Sequence, residues 1–175
     1  MSKRLVAAAM LAALLSGCST VQTVVGGTAG SEDTAGYIAR AASEDLFAMQ
    51  ASQLALAQAQ NSEVRQLARW MIKDHSMATQ ELAAAALEAH LDPLQPGLTG
   101  GQQQMLDALR NASAGSFDSL YLRQQLPFQQ AAMRFHQGYA LSGNVEPVRF
   151  AASTASGLAI QHYQDVRRVR RETGL

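Results

Sequence analysis

Asp45, His75 and His162 are the residues whose types and surroundings could do chemistry in this chain. Each stands in the middle of an apolar stripe that recurs at helical spacing, so each points inward. Around His75 the stripe includes Val64, Ala68, Met71, Leu82 and Ala86; around His162 it includes Val148, Ala151, Ala159, Val166 and Val169. Asp45 is the anomaly of its segment, because a surface helix turns its acids outward, as its neighbour Glu44 is expected to do. One carboxylate and two imidazoles can give oxygen and nitrogen ligands to a single iron, zinc or manganese ion. They can equally satisfy one another in a hydrogen-bonded network that fixes helix register, and this plainer reading needs no metal.

A second line of polar residues runs along one segment: Asp118, Gln125, Gln129 and His136. Leu122, Leu126 and Met133 flank it on one side, and Tyr121, Phe128 and Phe135 on the other, so the middle of a buried face is polar. Counted from the hairpin turns, Asp45 lies about fifteen residues before the first and His75 about fourteen after it. Gln125, Gln129 and His162 fall at similar heights about the second turn. One interior polar layer could hold them all.

The elements that must position these residues are helical. Alanine, leucine and glutamine are plentiful and no alternating runs suggest strands. The first helix is expected from Asp33 or Thr34 to about Gln60, with Ile38, Ala42, Met49 and Leu56 on its inner face. Asn61 caps the second, which runs until Leu91-Asp92-Pro93 stops it. A Pro- and Gly-rich crossover follows, with a short helix over Gln102–Asn111. The third long helix covers Ser116–Ser142 and carries Pro127 on its outer side; the fourth covers Glu146–Glu172 with Pro147 in its first turn. Two hairpins joined by a crossover predict an all-α, ferritin-like antiparallel four-helix bundle over residues 33–172.

The N-terminus is kept apart from the fold. Lys3 and Arg4 precede an apolar run from Leu5 to Leu15, and Leu15-Ser16-Gly17-Cys18 resembles a bacterial lipobox. The resemblance implies a signal peptide over residues 1–17 and a lipid on Cys18, which is the sole cysteine. Residues 18–32, rich in Ser, Thr and Gly, read as a flexible tether. The membrane is thus an expected partner through the lipid anchor. Ser19 after the cysteine implies, by resemblance to lipoprotein sorting rules, the periplasmic face of the outer membrane.

Other chemistry finds little support. Lys plus Arg and Asp plus Glu number 14 each, so no overall field draws the chain to nucleic acid. No Glu-x-x-His pair exists for a di-iron site, no Gly-rich phosphate loop follows a strand, and lipidation removes the only thiol nucleophile. The seven methionines read as core filling rather than copper ligands. Arg167, Arg168, Arg170 and Arg171 suit the negative end of the last helix dipole; contact with anionic lipid is the other reading.

Several stretches resemble domain of unknown function family 4142, ferritin-like modules of secreted and envelope proteins. They are Ala41 to Phe47, Val64 to Ala68, Met71-Ile72-Lys73-Asp74-His75, Phe117-Asp118 with Tyr121 and Gln125, and Arg149-Phe150-Ala151 with His162. Where the family pattern leads one to expect a glutamate stands Ala48, and where it leads one to expect a histidine stands Gln129. The resemblance carries no settled activity. The sequence therefore predicts a non-enzymatic binding or interaction module of the envelope without a resident cofactor, and names no protein or small-molecule partner. The alternative is a metal-binding or redox protein using Asp45, His75 and His162.

Overall fold

The computed structural model describes residues 33–91 and 96–175, so the expected signal peptide, Cys18, the tether and Pro93 lie outside the described residues. Helices account for the described fold: α1 (Thr34–Gln58), α2 (Ser62–Glu88), α3 (Gly100–Arg110), α4 (Ala114–Ser142) and α5 (Glu146–Thr173). No strand occurs among the described residues.

Local chemistry sets the ends. Asp33 accepts from the Gly36 N–H (2.6 Å) and Asn61 from the Glu63 N–H (2.8 Å), each satisfying a donor that the first turn leaves free. Thr99 and Gln102 form a capping box that starts α3. At the end of α2 the sequence expectation is corrected. The helix stops at Glu88, ahead of the proline, because His90 takes a left-handed φ of 57°. The Leu91 N–H then reaches the Ala86 carbonyl at 2.9 Å and the His90 N–H the Leu87 carbonyl at 3.0 Å, a Schellman closure. Pro127 is exposed within an unbroken α4, as its place on the outer side requires.

Helix α1 packs against α2 and α4, α5 packs against the same two, and α3 lies on α1 and α4. Hydrogen bonds show that α1 and α4 run in opposite directions: Thr34 meets Tyr139, Tyr37 meets His136 and Ser52 meets Tyr121. The inner face of α1 is broader than the expected stripe. Leu56 is exposed, whereas Tyr37, Phe47 and Ala51 are buried, because α1 touches three other helices.

The apolar interior comes in two parts. One gathers Phe47, Leu67, Met71, Leu106, Phe117 and Val166; the other gathers Tyr37, Ile38, Leu82, Tyr139 and Val148. Between them, near the middle of the long helices, stand Glu44, Asp45, His75, Gln125, Gln129 and His162, all buried.

Candidate functional site in the polar waist

Helix α2 presents two adjacent residues to two different neighbours, since successive positions diverge by about 100° around a helix. His75 turns to α1, where its Nδ1–H donates to Asp45 Oδ1 at 2.7 Å. Thr79 Oγ1 donates to the other oxygen of Asp45 at 3.1 Å. Asp74 turns to α5 and accepts from His162 Nε2–H at 3.1 Å. The two imidazole centroids lie 5.1 Å apart. A carboxylate thus holds one nitrogen of each ring and fixes its tautomer, leaving His75 Nε2 and His162 Nδ1 buried without partners.

A second cluster joins α1 to α4. The Tyr37 hydroxyl shares a hydrogen bond with His136 Nδ1 (2.9 Å), and His136 Nε2 stands 3.7 Å from Glu44 Oε2. Arg40 Nε donates to Glu44 Oε1 at 3.0 Å while the guanidinium lies over the Phe135 ring. Glu44 Oε2 has no partner. Burial pushes the Glu44 carboxyl up despite the Arg40 contact. Burial likewise pushes the His136 and His162 imidazoles down to about 4, against the pull of nearby carboxylates.

Asp45 and His75 are in direct contact, and His162 touches Asp74 instead of Asp45. Asp45 spends its carboxylate on His75 and Thr79, so these residues do not share one ligand point. Among the described residues, no group of three or more His, Cys, Asp and Glu side chains stands ready to hold a metal ion. Gln129 is fully buried, with Nε2 donating to Met71 Sδ at 3.6 Å and Oε1 unpartnered. Both amide atoms of the fully buried Gln125 lack partners.

Asp118 corrects the expectation of one layer. It accepts the Gln60 N–H and the Asn61 N–H (2.8 Å to the latter) and so caps the α1–α2 turn. It precedes Gln125 by two helical turns, about 10 Å at 1.5 Å per residue, which carries it to the level of the α1–α2 turn. His136, further along the same line, serves Tyr37 and the Glu44 side. The line on α4 therefore supplies different partners at different heights.

Glu44, Asp74 and Arg40 were not among the expected site residues. Glu44 is a correction: it is only 9% exposed, because it faces His136 of α4, while Ser43 beside it donates from Oγ to Gln102 Oε1 of α3 at 2.8 Å. The signal for Asp74 was its place beside a buried histidine on a helix with neighbours on both sides.

The waist has its own cavity. A space of about 10 Å³ is bounded by Glu44, Asp45, His75, Gln129 and His136 with apolar walls. A larger groove of about 140 Å³ shares Asp45 and His136 with it and adds Asp74, Glu81 and Met77.

These features define an all-helical protein with paired imidazoles and carboxylates buried across its long helices. The chain belongs to the DUF4142 family, a domain of unknown function, whose model matches residues 19–169. Comparison with curated proteins gives no match. A solved structure described as CopM in the Cu(II)-bound form is similar in fold, with a TM-score of 0.64 at 20% identity, over 78% of this chain and 95% of that one.

Proposed function

We propose that this protein is a lipid-anchored envelope protein of the periplasmic side, whose ferritin-like antiparallel four-helix bundle is a non-enzymatic binding module. The lipobox-like Leu15 to Cys18 supports the anchor, and the paired packing of α1, α2, α4 and α5 supports the bundle. One observation carries the binding role: His75 Nε2, Glu44 Oε2, Gln129 Oε1 and His162 Nδ1 are buried without partners in the same stretch of the interior. A network serving only to join helices would satisfy its own members, because each orphan costs about 1–3 kcal/mol.

A second reading, a metal-binding or redox protein with a mononuclear site, is favoured by how the imidazoles are held. A carboxylate on one ring nitrogen with the other left bare is the arrangement that orients metal-ligating histidines. The similarity in fold to a protein described in a Cu(II)-bound form is consistent with it. Iron, zinc, manganese and copper all suit such nitrogen and oxygen donors.

Elemental analysis of the full chain, with thermal melts in each of these four ions, tests the readings together. A stoichiometric metal that raises the melting temperature, and whose effect His75→Ala abolishes, establishes the metal protein. Absence of both metal and shift leaves the non-enzymatic module without a metal and directs the search for its ligand to the surface.

A further inference from the structure

The outward face of α5 carries a repeat that the chain's own packing leaves unused. From Glu146 through Phe150, Gly157, Ile160 and Arg167 to Arg171 the exposed positions advance in alternating steps of four and three, with Ser153 and Gln164 completing the line. That spacing keeps side chains on one side of a helix, and it is the spacing of the seam between two helices wound together. The opposite side of α5 packs on α2 and α4. Phe150 is 72% exposed and Ile160 40%, so the seam sets an aromatic ring and a branched side chain in water. Glu146 and Arg171 form no ion pair with any described residue. At Gly157 a Cβ would meet nothing within 4 Å, so the chain's own packing does not call for a poor helix former there.

Turned end for end about a point between Gly157 and Ile160, the seam becomes its own complement. Glu146 then faces Arg171 of a second copy, an acid against a base. Phe150 faces Arg167, whose guanidinium has the Tyr163 ring at 5.7 Å and gains another aromatic face. Ser153 faces Gln164, a hydroxyl against an amide. Ile160 faces Gly157 and fills the space that the missing side chain leaves. A parallel pairing would instead set Glu146 on Glu146 and Arg171 on Arg171, and opposed like charges are unfavourable. The surroundings of α5 have the same polarity. A groove of about 390 Å³ between α2 and α5 brings Glu81 and Glu88 beside Glu146 and Phe150. At the other end of α5, Arg167, Arg170 and Arg171 line a groove of about 320 Å³ with Leu126 and Leu175. An antiparallel approach brings the acidic end of each copy to the basic end of the other.

We propose that this face is the docking surface for a second copy of the same chain, the two α5 helices lying antiparallel with Gly157 and Ile160 at the centre. The order of charges selects this occupant. An anionic surface suits the arginines and is repelled by Glu146, and a basic peptide meets the reverse, whereas a second copy presents both signs in the opposite order. One helix from each chain makes a small interface, so the dimer is weak and reversible. The polar waist takes no part in it, so the dimer stands or falls independently of the readings above.

The test uses the full chain in mild detergent. Under gentle oxidation the double variant Ser153→Cys with Gln164→Cys is expected to form a covalent dimer, whereas wild type and each single variant are not. Positions 153 and 164 lie about 16 Å apart along one helix, too far to bond within a chain or between like positions of an antiparallel pair. Sedimentation over a concentration series up to millimolar is expected to show a wild-type dimer that Phe150→Glu weakens about tenfold. Arg171→Glu should weaken it as well, and Glu146→Arg added to Arg171→Glu should restore it. Circular dichroism confirms that each variant, changed only on the exposed face, remains folded. A wild type that stays monomeric without a cross-link in the double variant overturns the proposal. A dimer indifferent to Phe150→Glu places the contact on another face, bonding by the single cysteine variants makes it parallel, and failure of the charge swap to restore it breaks the register; each of these overturns it too.

Discussion

His162 has no exposed surface, and its neutral ring is held between Asp74 and the His75 face. Its imidazole and that of His136 sit near 4 in the fold, against 6.5 for a free histidine. Between these values the unfolded chain takes up protons that the folded chain refuses, so both groups stabilise fully above about pH 6.5 and lose that contribution as the pH falls toward 4. Glu44 acts in the opposite sense, because a raised carboxyl favours the fold at low pH. The melting temperature of the metal-free protein is expected to fall steadily from pH 7 to pH 4, with a shallower fall in His162→Gln. A level profile would contradict the neutral buried rings. The imidazoles were legible in the sequence because a histidine amid helically spaced apolar residues has nowhere else to point. Glu44 and Asp74 were not, because their burial depends on which helix covers which flank, and periodicity in one segment does not encode its neighbours.

At the scale of elements, the caps and connections decide where helices end. Asn61, the capping box and the short connections were readable because a few side chains act over a few residues. The stop of α2 at His90 was not readable, since histidine is an uncommon residue for a left-handed closure. The α4–α5 turn shows a tighter constraint. A Cβ on Gly143 would stand 2.5 Å from Tyr139 Cε1. That ring cannot yield freely: it stacks on Tyr37 at 4.0 Å between centroids, and its hydroxyl bonds Thr34 at 2.7 Å. Gly143→Ala is therefore expected to destabilise the protein by about 1–3 kcal/mol. Denaturant unfolding checks this, and combination with Tyr139→Leu should recover part of the loss. An additive double variant would show that the ring is not what the methyl meets.

For the whole molecule, the expected anchor leads to a localisation test. Replacing Cys18→Ser removes the only sulfur that can carry a lipid. The expected outcome is a chain that leaves the membrane fraction and loses the acyl mass in mass spectrometry. An unchanged distribution would show that the lipobox-like run is an ordinary secretory signal. The all-helical architecture was legible because amphipathic periodicity and turn residues act independently of one another and agree here. The division of its interior into two apolar parts was less so, since it arises only when four helices meet at the same height.

The α1–α4 pairing has one more consequence. Apart from Phe47 and the half-buried Leu54, the inner face of α1 from residue 41 to 55 is apolar only through Ala41, Ala42, Ala48, Ala51 and Ala55, and a surface with so little relief slides by a turn at small cost in shape. Thr34 with Tyr139, Tyr37 with His136, and Ser52 with Tyr121 advance in step along it, so a slip orphans all three pairs at once. The alignment is written as a short code in three bonds on a nearly blank surface. Drift among the alanines leaves the message intact, whereas an error at a hydroxyl corrupts it.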